Sequence, residues 1–83
     1  MAEVQALMAY RDPALAEREA EITEALRAGP LTVYGIAVML VPDGTLPGGS
    51  MTARITQSLR VMEREKIVKR ETRSRRTYWS LAR

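Results

Sequence analysis

Cysteine and histidine are both absent from the 83 residues. Without them there are no disulfide frameworks, thiolate nucleophiles, common zinc ligand sets or imidazole acid/base groups, so most enzyme mechanisms have no residues to run on. No nucleophile–base pair and no phosphate-cradling glycine motif stands in for them, which argues against catalysis. Long apolar runs are missing too, since nowhere do the roughly 20 apolar residues of a membrane span occur. The opening MAEVQALMAYRDP has neither a basic n-region nor the apolar stretch of a leader, so a cytoplasmic protein without a membrane partner is expected. A chain of this length holds one domain with a small core, because it buries only about 60 to 65% of its extended surface.

Charge is present and unevenly placed. Residues 1–50 carry seven acidic side chains against three arginines, a balance of −4, whereas residues 51–83 carry ten Lys and Arg against three Glu, a balance of +7. A compact domain with one strongly basic half presents a positive surface, whose commonest polyanionic partner in a cell is nucleic acid, with anionic membrane as the rival.

Proline and glycine divide the rest. Residues 1–12 hold Val4, Leu7 and Met8 at helical spacing and suit a short arm or helix, while residues 13–83 form the domain. Asp12 and Pro13 have the chemistry of an N-cap and a first helical residue, which starts a helix over 13–28. Its apolar stripe contains Leu15, Ile22, Ala25 and Leu26, its Glu residues face solvent, and Gly29-Pro30 stops it. Leu31, with room for a one- or two-residue strand, precedes Thr32 as the next N-cap and is placed to staple onto Ile36. The helix over 33–40 is almost wholly apolar and is expected to be the most buried element, with Gly35 letting a neighbouring helix approach closely. Residues 42–50, PDGTLPGGS, read as a loop.

Ser50 is placed to cap a third helix over 51–66, in which Met51, Ile55, Leu59 and Met62 recur on one face. The opposite side carries Ala53, Arg54, Gln57, Arg60, Val61 and Arg64. IVKRET, RSRR and TYWSLAR then read as a hairpin, with Thr77, Trp79 and Leu81 sharing one face. Trp79 and the methionines Met8, Met39, Met51 and Met62 are core candidates, with no cofactor implied. Glu17, Glu19, Glu21 and Glu24 spread around a helix near its N-terminus, where negative charge is favourable, and suggest no metal site.

The segment from Leu59 to Leu81 resembles the second half of winged helix-turn-helix transcriptional regulators, the broad group that includes the multiple-drug-resistance and arsenic-resistance repressors. The likeness is carried by Leu59 with Met62, then Glu63, Ile67-Val68, the basic tip Arg73 to Arg76 and the close Tyr78-Trp79-Ser80-Leu81. Residues 29–40, GPLTVYGIAVML, are similar to the segment leading into the first helix of the motif. Lys66 stands where many of those proteins have glycine, and the loop over 42–50 is longer than the three or four residues usual in the motif.

The resemblance implies an α+β, mainly α fold: a three-helix winged helix-turn-helix with a C-terminal β-hairpin wing. It also implies that helix 51–66 enters the major groove of double-stranded DNA. Gln57 then pairs with adenine, Arg54 or Arg60 with guanine, and the hydroxyls of Ser50 and Thr52 reach phosphates, with Arg64 on the same face. Lys69, Arg70, Arg73, Arg75 and Arg76 of the wing, residues 69–77, lie along the backbone or in the minor groove, work suited to always-charged guanidinium forks. The plain alternatives are a solvated helix face and an edge strand protected by cations, though four arginines among seven residues exceed what edge protection needs. Sequence-specific DNA binding and transcriptional regulation is the resulting expectation, as a monomer or as a homodimer paired through the arm and first helix. A protein-binding adaptor of transcription or replication machinery and a nonspecific architectural DNA binder are the alternatives.

Overall fold

The computed structural model describes residues 13–42 and 44–82, which form three helices followed by a two-stranded antiparallel hairpin: α1 Pro13–Leu26, α2 Val33–Leu40, α3 Gly49–Arg64, β1 Val68–Arg73 and β2 Arg76–Leu81. The arm over 1–12 and the Asp12 cap lie outside the described residues.

α1 buries Ile22, Ala25 and Leu26 as its stripe requires. Glu19 is buried as well, against the expectation that the carboxylates face solvent, because 19, 22 and 26 fall on one line of the helix. The helix also stops at Leu26, two residues short of the expected end. The Arg27 N–H donates to the Glu24 carbonyl and the Gly29 N–H to that of Leu26, tightening the exit, and Gly29 takes φ 135°, a conformation that favours glycine.

α2 starts as expected, with the Gly35 N–H donating to the Thr32 hydroxyl at 3.0 Å. Its apolar side chains are nevertheless not all inside: Ile36 and Ala37 are buried, Val33 and Leu40 lie partly buried against the core, and Tyr34, Val38 and Met39 remain exposed. An eight-residue helix packed on one side has room for one inward stripe, whatever the polarity of its other face. The atoms nearest to a Cβ added at Gly35 belong to the helix's own entry turn and not, as expected, to a neighbouring helix: Thr32 Oγ1 at 3.3 Å and Leu31 at 3.5 Å.

α3 runs two residues earlier at both ends than the expected 51–66. Gly48, not Ser50, is its N-cap, without any side-chain hydrogen bond, and the Thr52 N–H reaches back to the Gly48 carbonyl at 3.2 Å. Ile55, Leu59 and Met62 are fully buried and Met51 partly so, which makes α3 the spine of the core. Burying each such side chain contributes about 1.5–3 kcal/mol. Ser58 shares that inward line, and its hydroxyl is buried with no hydrogen-bond partner among the described residues. At the other end the Lys66 N–H donates to the Glu63 carbonyl (3.0 Å) and the Ile67 N–H to that of Met62 (2.9 Å). This paired closure places Lys66 in the left-handed region at φ 62°.

The hairpin pairs Val68 with Leu81, Arg70 with Trp79 and Thr72 with Thr77 on one face. Val68 and Trp79 join the core, while Thr77 is exposed because the hairpin by then has run past the helices. Leu31 bridges Trp79 with both backbone hydrogen bonds, at 2.9 and 2.7 Å, so the entry to α2 is stitched to β2.

Candidate nucleic-acid interface

Because α3 commits one stripe to the core, its other side chains are forced outward together. Ala53, Thr56, Gln57, Arg60, Val61 and Arg64 line an open groove of about 480 Å³ along this helix. Arg54 is exposed at the edge of the same face without lining the groove. No ion pair engages Arg54, Arg60 or Arg64 among the described residues, so three guanidiniums stand free on this face. Ser50 is exposed in the first turn. Thr52 is half-buried, and its hydroxyl donates to the Gly49 carbonyl at 2.9 Å, so it must release that bond before donating to a phosphate. The Thr56 hydroxyl is engaged in the same way, on the Thr52 carbonyl at 2.9 Å.

The hairpin separates its cations by strand alternation and register. Arg70 lies on the inward face beside Trp79, with its Nε 3.1 Å from Glu63 Oε2 on α3 and its guanidinium carbon 6.0 Å from the indole centroid. It acts as a tether between β1 and α3 and is not a free cation. Arg73 bonds Glu71 at 3.1 Å, and that carboxylate's hydrogen bond and charge hold its guanidinium still more firmly protonated than usual. Lys69, Arg75 and Arg76 are exposed, with no ion pair among the described residues. Ser74 and Arg75 form the two-residue turn, at φ 49° and 68°, the backbone of a turn normally built from Asn-Gly.

No protein-family model, curated protein or solved structure matches the chain. Of the eleven candidate residues, Arg54, Gln57, Arg60 and Arg64 share the α3 face, and Lys69, Arg75 and Arg76 are free on the hairpin. Arg70, Arg73 and Thr52 are engaged within the chain, and Ser50 is exposed in the first turn of α3. The sequence pattern does not single out Thr56 or Glu63 as site residues. Thr56 is signalled only by its spacing of four to both Thr52 and Arg60, and Glu63 only as an acid stranded in the basic half. Among the described residues no cluster of three or more acidic side chains is placed to hold a metal ion, and no helix is long and apolar enough to cross a membrane.

Proposed function

We propose that the chain is a winged helix-turn-helix protein that binds double-stranded DNA in a sequence-dependent way and regulates transcription. In this reading α3 lies in the major groove, where Gln57 and either Arg54 or Arg60 meet base edges, and Arg64 and Ser50 contact phosphates. The hairpin is the wing, with Lys69, Arg75 and Arg76 on the backbone or in the minor groove.

The observation that carries the reading is the division of labour among the cations. Arg70 pairs with Glu63 between β1 and α3, while the arginines on the outer face of α3 and Arg75 and Arg76 at the hairpin turn have no carboxylate partner among the described residues. Arg75 adds support, since a left-handed turn position that favours glycine is occupied by arginine. Strain kept at an exposed position is a common mark of function. A single helix reads only a few base pairs, so discrimination in a genome favours two copies on a two-fold site.

The test is anisotropy titration of the full chain against a randomised duplex pool at two salt concentrations, followed by sequencing of the bound fraction. Enrichment of a short motif is expected, with affinity falling steeply as salt rises. Salt-dependent binding with no enrichment would point to an architectural binder, and absence of duplex binding at low salt would remove the reading.

A further inference from the structure

The basic face leaves one conspicuous surface unused. Tyr34 (53% exposed), Val38 (48%) and Met39 (54%) stand outward on α2, and Leu46 (81%) follows in the adjoining loop. Tyr34 and Val38 are one turn apart on the same line of the helix. Met39 sits at the edge of an open groove of about 510 Å³ between α1 and α2, lined by Glu21, Glu24, Ala25, Met39 and Leu40. Single exposed apolar side chains need no explanation, but here three fall within two turns of one helix, and one of them, Met39, lines a groove.

Charge selects what covers it. Glu17 and Glu21 lie one turn apart on α1, both exposed and in no ion pair among the described residues. Glu24 contacts Arg27 at 3.3 Å, with both side chains in solvent, a pairing that a better partner displaces at little cost. The surface is thus an apolar ridge and groove with carboxylates along its α1 side. A DNA backbone is repelled by it. The exposed ridge of a second copy, Tyr34, Val38, Met39 and Leu46, brings no cation to pair with those carboxylates. The matching shape is a helix with an apolar stripe and lysines or arginines along one edge, laid in the groove.

We infer that the α1–α2 face is a docking surface for a cationic amphipathic helix of a partner protein. None of its residues lines the α3 groove or belongs to the hairpin, so the inference stands independently of DNA binding.

The probe is a synthetic peptide of about 18 residues, long enough to be helical, with leucines at i, i+3, i+4 and i+7 flanked by lysines. A second peptide carries glutamate at every lysine. Each is titrated into the isotope-labelled full chain and followed by amide chemical shifts. The lysine peptide is expected to bind at least about tenfold more tightly than its acidic counterpart, with shifts centred on α2 and the second half of α1. Met39→Ser is expected to weaken it, and Glu17→Lys with Glu21→Lys to invert the preference. All three positions are exposed, and an otherwise unchanged amide spectrum verifies the fold of each variant. Equal affinity for the two peptides, shifts centred on α3 or the hairpin, or no saturable binding overturns the inference. So does sedimentation showing a self-associated chain that Val38→Ser and Met39→Ser return to monomer, because a second copy then owns the face.

Discussion

Lys66 is held in the left-handed region, φ 62°, by the two hydrogen bonds that end α3. For a residue with a Cβ that conformation costs about 1–2 kcal/mol. Glycine escapes the cost but gives back part of it through a freer unfolded chain, about 0.4–1 kcal/mol. Lys66→Gly is therefore expected to stabilise the domain by about 0.5–1 kcal/mol, which raises the melting temperature by roughly 2–8 °C at this size. Urea unfolding checks it: the midpoint rises while the slope stays unchanged. A lower midpoint would mean that the lysine side chain supplies a favourable interaction larger than the strain it carries.

At the scale of the element, the hairpin is locally weak beyond Trp79. Arg73 faces Arg76 across the strands, β1 after Val68 is exposed, and both turn residues have positive φ. Like charges directly opposite are unfavourable, and the turn type prefers glycine where Arg75 sits. Arg75→Gly is expected to raise stability by up to about 1 kcal/mol. The same change is expected to weaken duplex binding and reduce the salt dependence by the equivalent of about one phosphate. Calorimetry and anisotropy on the one variant read both signs, and a loss of stability would show that the turn geometry is not the source of strain. The order of elements was legible because Pro13, Gly29-Pro30, Pro42 and the Gly-rich loop punctuate it, and the inward stripe of α3 was legible from its period. The ends of α3 were not, since Ser50 has better capping chemistry than Gly48 and lysine does not advertise a left-handed position. Nor was the exposure of Met39, which depends on what packs against α2 and not on the polarity of the residue. In the candidate site Arg70 and Arg75 read alike in the sequence; only strand register, with Arg70 beside Trp79 and over Glu63, separates a tether from a free cation.

For the whole molecule, the proposed DNA binding divides between two cationic surfaces that make different demands on a duplex. If the guanidiniums at the hairpin turn address phosphates, which every sequence offers alike, Arg75→Ala with Arg76→Ala is expected to weaken all duplexes equally. The slope of log K against log salt then flattens by about 0.9 for each phosphate no longer neutralised, or roughly two units in all. Arg73→Ala is expected to change the slope less, because Glu71 already neutralises that charge. Gln57→Ala is expected to leave the slope on a random duplex nearly unchanged, and Arg60→Ala to lower it by at most about 0.9, while both alter the preferred motif. Removing a bidentate hydrogen-bond pair to a base edge costs about 1–3 kcal/mol of discrimination. Arg70→Ala belongs to neither group, since it removes the ion pair to Glu63 while Val68 still holds β1 in the core, and is expected to lower stability by at most about 1 kcal/mol before it alters recognition. Titrations of wild type and variants on one selected duplex and one random duplex, at several salt concentrations, separate these effects. A slope indifferent to Arg75 and Arg76 would remove the hairpin from the interface. Equal binding of both duplexes by every variant would leave a cationic surface with no reading helix.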